Sequence, residues 1–180
     1  MATPPVFTAG AVLTAAQMNG IGLWLVKSQT IGSAVSAVTV TDAFSADYDN
    51  YLITVNGGVA STTNFGDMTL GSTATGYYMS QNYMTYNSNT VGGISRQNQT
   101  RWIAITVGTT NVLNGQCWIH DPFNAKNTIV NAWYAQALTT GENSLVRGYL
   151  ADTTSYTAFT LTASTGTWTG GQIRVYGTRN

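Results

Sequence analysis

The side chains able to do chemistry are few. His120 is the only histidine and Cys117 the only cysteine, three positions apart and followed by Asp121, which is the raw material of a Cys/His nucleophile pair. Strand geometry argues against that pair, because positions an odd number apart point to opposite faces unless a bulge or turn intervenes. The competing reading is a histidine at the turn into Asp121-Pro122 and a buried cysteine acting as a small hydrophobe. Asp47 and Asp49, alternating within Ser45-Ala46-Asp47-Tyr48-Asp49-Asn50, could open an oxygen-rich calcium loop. The following Tyr51-Leu52-Ile53 adds no further side-chain ligand, so a turn accounts for them better. A glycosidase needs two carboxyl groups across a cleft, and seven acids dispersed over 180 residues nominate no pair. One histidine and one cysteine cannot build a structural zinc site, and a lone cysteine makes no intrachain disulfide. No nucleophile elbow, phosphate loop or HExxH sequence occurs. The expectation is a chain that is not an enzyme, with no cofactor and no metal.

Aromatic residues leave carbohydrate binding open. Five Trp and ten Tyr in a weakly charged chain can stack on sugar rings while Asn, Gln and Thr satisfy hydroxyls. Trp102, Trp118 and Trp133 fall in alternating stretches where core packing is the default, so the surface candidates are Tyr77, Tyr78, Tyr83 and Tyr86. Only 8% of residues are charged, against roughly a quarter in an ordinary soluble domain. Glu occurs only at position 142 and Lys only at 27 and 126, while there are 30 Thr, 15 Asn and 19 Gly, which disfavours a helix bundle. Five scattered arginines make no basic run, so nucleic-acid binding is not expected.

Two kinds of element position these residues. Thr14 with Gln17 three positions later fits a capping box, and Met18, Ile21 and Leu25 form a helical stripe. Leu23 and Trp24 make the other faces apolar too, so the spacing predicts a short helix that needs a partner surface, on its own domain or on a neighbouring chain. From Ile31 onward the period is two: Val38/Val40, Tyr51/Ile53/Val55, Ile103/Ile105/Val107, Trp133/Ala135/Ala137, Phe159/Leu161/Ala163 and Ile173/Val175 alternate with small or polar residues. Turn signals stand at Asn56-Gly57-Gly58, Gly92-Gly93, Asn114-Gly115, Thr140-Gly141-Glu142 and Gly170-Gly171. A loop of forty-odd residues is improbable in a compact domain, so strands are also expected near Asp67–Leu70 and Tyr77–Tyr86. The predicted fold is all-β, an antiparallel β-sandwich of jelly-roll type preceded by a short N-terminal α-helix, with residues 1–30 as an attachment segment and 31–180 as the β domain. No basic leader precedes Lys27 and no apolar run approaches the ~20 residues of a membrane span, so the chain reads as soluble.

Three segments resemble minor virion proteins of tailed bacteriophages, of the tail-fibre and head-fibre type. They are the opening Phe7-Thr8-Ala9-Gly10-Ala11-Val12-Leu13-Thr14-Ala15-Ala16-Gln17-Met18-Asn19, the stretch Phe44 to Val55 with its Tyr48-Asp49-Asn50-Tyr51, and the close from Gly166 to Asn180 with Ile173-Arg174-Val175-Tyr176-Gly177. Their order and spacing match the group over most of the chain. The resemblance implies a β-sandwich head on an N-terminal attachment segment, a homotrimer, a place on the virion after synthesis in the host cytoplasm, and contacts with other virion proteins. It leaves tail fibre and capsid decoration both open, allows a host surface glycan as ligand, and brings no catalytic residues.

Overall fold

Alternation of apolar residues with Thr, Ser and Asn yields twelve β-strands and no helix in the computed structural model, which describes residues 22–89 and 91–178 together with Gly10 and Val12. The first six are β1 (Leu23–Thr30), β2 (Ala37–Val40), β3 (Asn50–Ala60), β4 (Asn64–Leu70), β5 (Tyr77–Thr85) and β6 (Val91–Gln99). The others are β7 (Trp102–Gly108), β8 (Leu113–His120), β9 (Thr128–Ala135), β10 (Glu142–Leu150), β11 (Phe159–Ala163) and β12 (Trp168–Thr178). Every pairing among them is antiparallel. Among the described residues no helix is long and apolar enough to cross a membrane.

β8 is the branch point of the hydrogen-bonded network. Its first residues pair with β7 through Val107↔Asn114 and Gly108↔Leu113, and its later ones lie between β3 and β9, with Cys117 opposite both Ile53 and Ala132. One arm is the long run β1-β12-β3-β8-β9-β10-β5-β6, and the other is the short run β2-β11-β4-β7. Both send side chains into one core: Met68, Leu70 and Phe159 from the short run meet Ile53, Ile119 and Val175 from the long one. Each such burial is worth on the order of 1.5–3 kcal/mol. Trp168 is fully buried there, and its Nε1–H donates to Asn64 Oδ1 at 2.9 Å while Asn64 Nδ2 donates to the Thr165 carbonyl at 2.7 Å. Glycine at position 108 makes room, since a Cβ there would come within 2.8 Å of Ala60 Cβ and Asn64 Oδ1.

Two expectations need correction. Leu23, Trp24 and Leu25 are not helical: they open β1, which pairs with β12 from Leu23↔Thr178 to Thr30↔Gln172. A run that is apolar on every face satisfies either period, and here the free edge of β12 supplies the backbone partners that an isolated short helix lacks. The sheet therefore begins inside the segment 1–30 set aside for attachment; Met18, Ile21 and the capping residues Thr14 and Gln17 lie outside the described residues. Of the glycine turn signals, only Thr140-Gly141-Glu142 marks a connection between strands, with the Gly141 N–H donating to Leu138 O at 3.0 Å. The others lie within strands. Asn56-Gly57-Gly58 on β3 faces Gly170-Gly171 on β12 in unbroken register, with φ of 80°, 69° and 88° at Gly57, Gly170 and Gly171, while on its other side β3 shifts register against β8 between Val55 and Gly58. These glycines serve an irregular close approach of two backbones. The strands expected near Asp67–Leu70 and Tyr77–Tyr86 are β4 and β5, with Tyr86 just past the end.

Two predictions follow from the pairing and from one buried phenol. Deleting residues 1–21 removes none of the described strands and is expected to leave the melting temperature of the β domain unchanged in calorimetry, whereas deleting 1–30 strips β1 from β12 and lowers it by roughly 5–10 °C. Tyr77 is fully buried; its hydroxyl accepts from the Leu70 N–H at 2.8 Å and donates to the Thr73 carbonyl at 3.1 Å. Burial raises its pKa from 10.0 to about 12, so the folded state holds the proton more tightly than the unfolded chain. That contribution is complete below pH 10 and is lost as pH rises through about 12. Thermal melts by circular dichroism will show stability falling over that window, and Tyr77→Phe will shallow the fall while costing about 1–2 kcal/mol at neutral pH through the orphaned Leu70 N–H.

Candidate functional site

The long run of strands has one face on the core and one away from it. Because its strands pair in register, outward side chains align in rows that cross the strands. The central row reads Leu25, Tyr176, Leu52, Trp118, Asn131, Arg147 and Ser80. One flanking row carries Asn50, His120, Ile129, Tyr149 and Tyr78, and the other Gln116, Trp133, Leu145 and Asn82. Leu23, Leu25, Ile129, Trp133 and Tyr149 are all exposed. The short run has the opposite character on its outer face, where Thr39, Thr160 and Thr69 form a ladder and the Thr39 and Thr160 hydroxyls lie 2.9 Å apart.

A groove of about 570 Å³ lies on the aromatic face. It exists because a short side chain, Asn131, stands between Trp118 and Arg147 in the central row, with Trp133 and Leu145 along one wall and His120, Asn50 and Thr178 along the other. The Trp118 and His120 rings stack at 6.4 Å and 14°. His120 Nδ1 lies 2.6 Å from Asn50 Oδ1, and Asn131 Nδ2 lies 3.4 Å from His120 Nε2. In the tautomer with hydrogen on Nδ1, the ring donates to Asn50 Oδ1 and accepts at Nε2 from Asn131. Arg147 is exposed, and its guanidinium makes no hydrogen bond or ion pair among the described residues. On its other side is a second depression of about 310 Å³, lined by Tyr78, Tyr149, Ser80, Ser95 and Arg96, where the two tyrosine rings stack at 4.9 Å and 5°.

The residues singled out from sequence separate in space. Cys117 faces the core, 1% exposed, and burial pushes its thiol pKa up, while His120 faces outward, so the two do not meet. Asp121 accepts from Lys126 Nζ at 2.9 Å and from Asn124 Nδ2 at 2.8 Å, and Asn124 also donates to Asp49 at 3.0 Å. Asp47 accepts from the Ser45 hydroxyl at 3.1 Å. These carboxylates knit two loops together. Among the surface tyrosine candidates, Tyr77 belongs to the core, packed edge-on to Trp102 at 5.1 Å. Tyr78 lies on the aromatic face, Tyr83 is half-buried on the opposite face of β5 over Gly92, and Tyr86 is exposed beyond β5. The four do not form one site.

Trp118 and Trp133, assigned to the core from sequence, are the aromatic residues that do line a groove. The signal was present: Trp118 alternates with Cys117 and Ile119, and Trp133 with Ala132 and Tyr134, so only one of each set can face the core. No protein-family model matches the chain, and no curated protein sequence matches it.

The tryptophans therefore divide into two populations. Trp102 and Trp168 are fully buried, Trp118 and Trp133 line the groove, and Trp24 is half-exposed on β1. Acrylamide will quench a substantial part of the native fluorescence, and the Trp118→Phe/Trp133→Phe double variant will lose most of that quenchable emission while keeping a blue-shifted, protected remainder.

Proposed function

We propose that the chain is a structural subunit of a tailed-bacteriophage virion, a short tail fibre or receptor-binding protein held on the particle by its N-terminal segment and touching the host through its β domain. The observation that carries this reading is the outward aromatic face of the long strand run on a chain with 8% charged residues, while the carboxylates near His120 are engaged in tying loops together. A surface rich in exposed Trp, Tyr, Leu and Ile belongs to a protein that works by contact. The two strand runs facing each other across one core support a β-sandwich with jelly-roll-like crossings, since β3 lies between β12 and β8, and β11 between β2 and β4. The resemblance of the three sequence segments supplies the virion and the homotrimer.

A second reading, a capsid decoration or head-fibre protein that steadies the shell, draws on the edge strand. Leu23 and Leu25 are 46% and 57% exposed on β1, inside the segment 1–30 read as the attachment, where a neighbouring subunit would cover them. Immunogold labelling of purified particles separates the readings: label at the tail tip is expected for the first, label spread over the capsid for the second, and absence from particles overturns both. A chain lacking residues 1–21 is expected to fold and to be missing from the particles.

A further inference from the structure

We infer that the groove centred on Asn131 and Arg147 is a binding site for an acidic oligosaccharide. The inference deepens the host-contact reading above and rests on it. Three properties of the groove select this ligand class. Its walls are aromatic rings in fixed orientations: Trp118 is held by its stack on His120, whose ring is clamped from both sides by Asn50 and Asn131. Such rings cover the apolar face of a pyranose. Its floor and rim carry amide, hydroxyl and imidazole groups, Asn50, Asn131, Thr178 and His120, suited to hydroxyls and to water-bridged contacts. Its single charged lining residue is Arg147, a guanidinium with five donors and no protein partner among the described residues. A planar carboxylate is the group that matches such a fork in a bidentate pair.

The second depression sets the size of the ligand. It shares Arg147 with the first and adds the stacked Tyr78/Tyr149 pair, so aromatic platforms flank one cation along a line across β8, β9, β10 and β5. Three inter-strand steps span about 14 Å. That length suits about three sugar units, and the order of groups along it is platform, cation, platform. Trp, Tyr and Arg also mark the hot spots of protein interfaces, so occupation of the groove by a second copy of the chain is the competing outcome of the test.

The test uses the full chain and an array of three- to six-unit oligosaccharides containing sialic or uronic acid, with neutral oligosaccharides of matched length. An α2,8-linked sialic acid tetramer, a galacturonic acid tetramer and maltotetraose are then followed by calorimetry and tryptophan fluorescence. Binding of an acidic member with a Kd at or below about 1 mM and at least tenfold preference over its neutral counterpart is expected. Arg147→Ala should abolish that preference, Arg147→Lys should retain part of it, and Trp118→Ala should abolish binding altogether. Arg174→Ala, on the same face but outside the groove, should change nothing, and melting temperatures establish that each variant is folded. Silence across the acidic panel, or binding indifferent to Arg147, overturns the inference. So does light scattering that finds the full chain oligomeric and Trp118→Ala or Trp133→Ala monomeric, because the groove would then be filled by a second copy. Particles that still carry the chain while the array stays silent leave the virion reading standing and remove the glycan.

Discussion

The whole arrangement depends on the pairing of β8 with two neighbours at once. Cys117 opposite Ile53 on one side and Ala132 on the other fixes the register of three strands, and with it the face on which each side chain lands. A slip of one residue would send Trp118 and His120 inward and expose Cys117 and Ile119. The core opposes that slip, since Cys117, Ile119, Ile53 and Ala132 are all buried in one cluster. The aromatic groove is thus the reverse side of the core pattern: what places Trp118 outside is the burial of its two chain neighbours. At its first residues β8 also pairs with β7, which joins the short strand run to the long one.

Scarcity of charge leaves the few ionised groups with well-defined tasks. Asp67 is almost fully buried on β4, accepting from Arg101 Nε at 2.8 Å and from the Ala104 N–H at 3.1 Å. Its pKa is nonetheless raised, because loss of hydration outweighs those two donors and the arginine is itself half in water. The donor at Ala104 is presented by a backbone with φ of 59°, beside the register break between β4 and β7. A non-glycine residue in that region costs of order 1 kcal/mol or more, and the buried carboxylate is what the distortion serves. A buried ion pair of this kind fixes a geometry more than it adds stability. Here the geometry is the bulge that carries β7 from β4 toward β8.

Most of the strand content was legible from alternation: the expected partners Tyr51/Ile53/Val55, Phe159/Leu161 and Ile173/Val175 all face the core. Three features were not. Leu23-Trp24-Leu25 is apolar at every position, and only the unpaired edge of β12, almost the whole chain away in sequence, decides between helix and strand. Gly57-Gly58 and Gly170-Gly171 are ordinary turn signals one at a time, and they become a close backbone approach inside the sheet only because the two pairs meet across β3 and β12. Trp133 was given the core face because it leads a plausible alternation with Ala135 and Ala137, yet Val130, Ala132 and Tyr134 win that face. Large aromatics bury well in either direction, so period alone does not say which of two apolar sets faces inward. Tertiary contact settles it, as it does for Tyr77 and Tyr78, adjacent in sequence and on opposite sides of the sheet.

The two outer faces of the molecule follow from the same composition spent differently. Threonine on β2, β11 and β4 gives a hydroxyl ladder that water can solvate and that offers little to a partner. The long run concentrates its Trp, Tyr and Leu outward, where each exposed ring carries a hydration cost that only a contact relieves. With the surrounding surface close to neutral, Arg147 has little competition for setting the local field, and a single unpaired guanidinium among rings determines orientation more than affinity. Affinity on such a face comes from the area of aromatic surface covered, and salt screens only the one ionic term. A charge-poor sheet with one buried and one aromatic face thus uses one alternation twice: its fold rests on what the pattern places inside, and the proposed recognition on what the same pattern leaves outside.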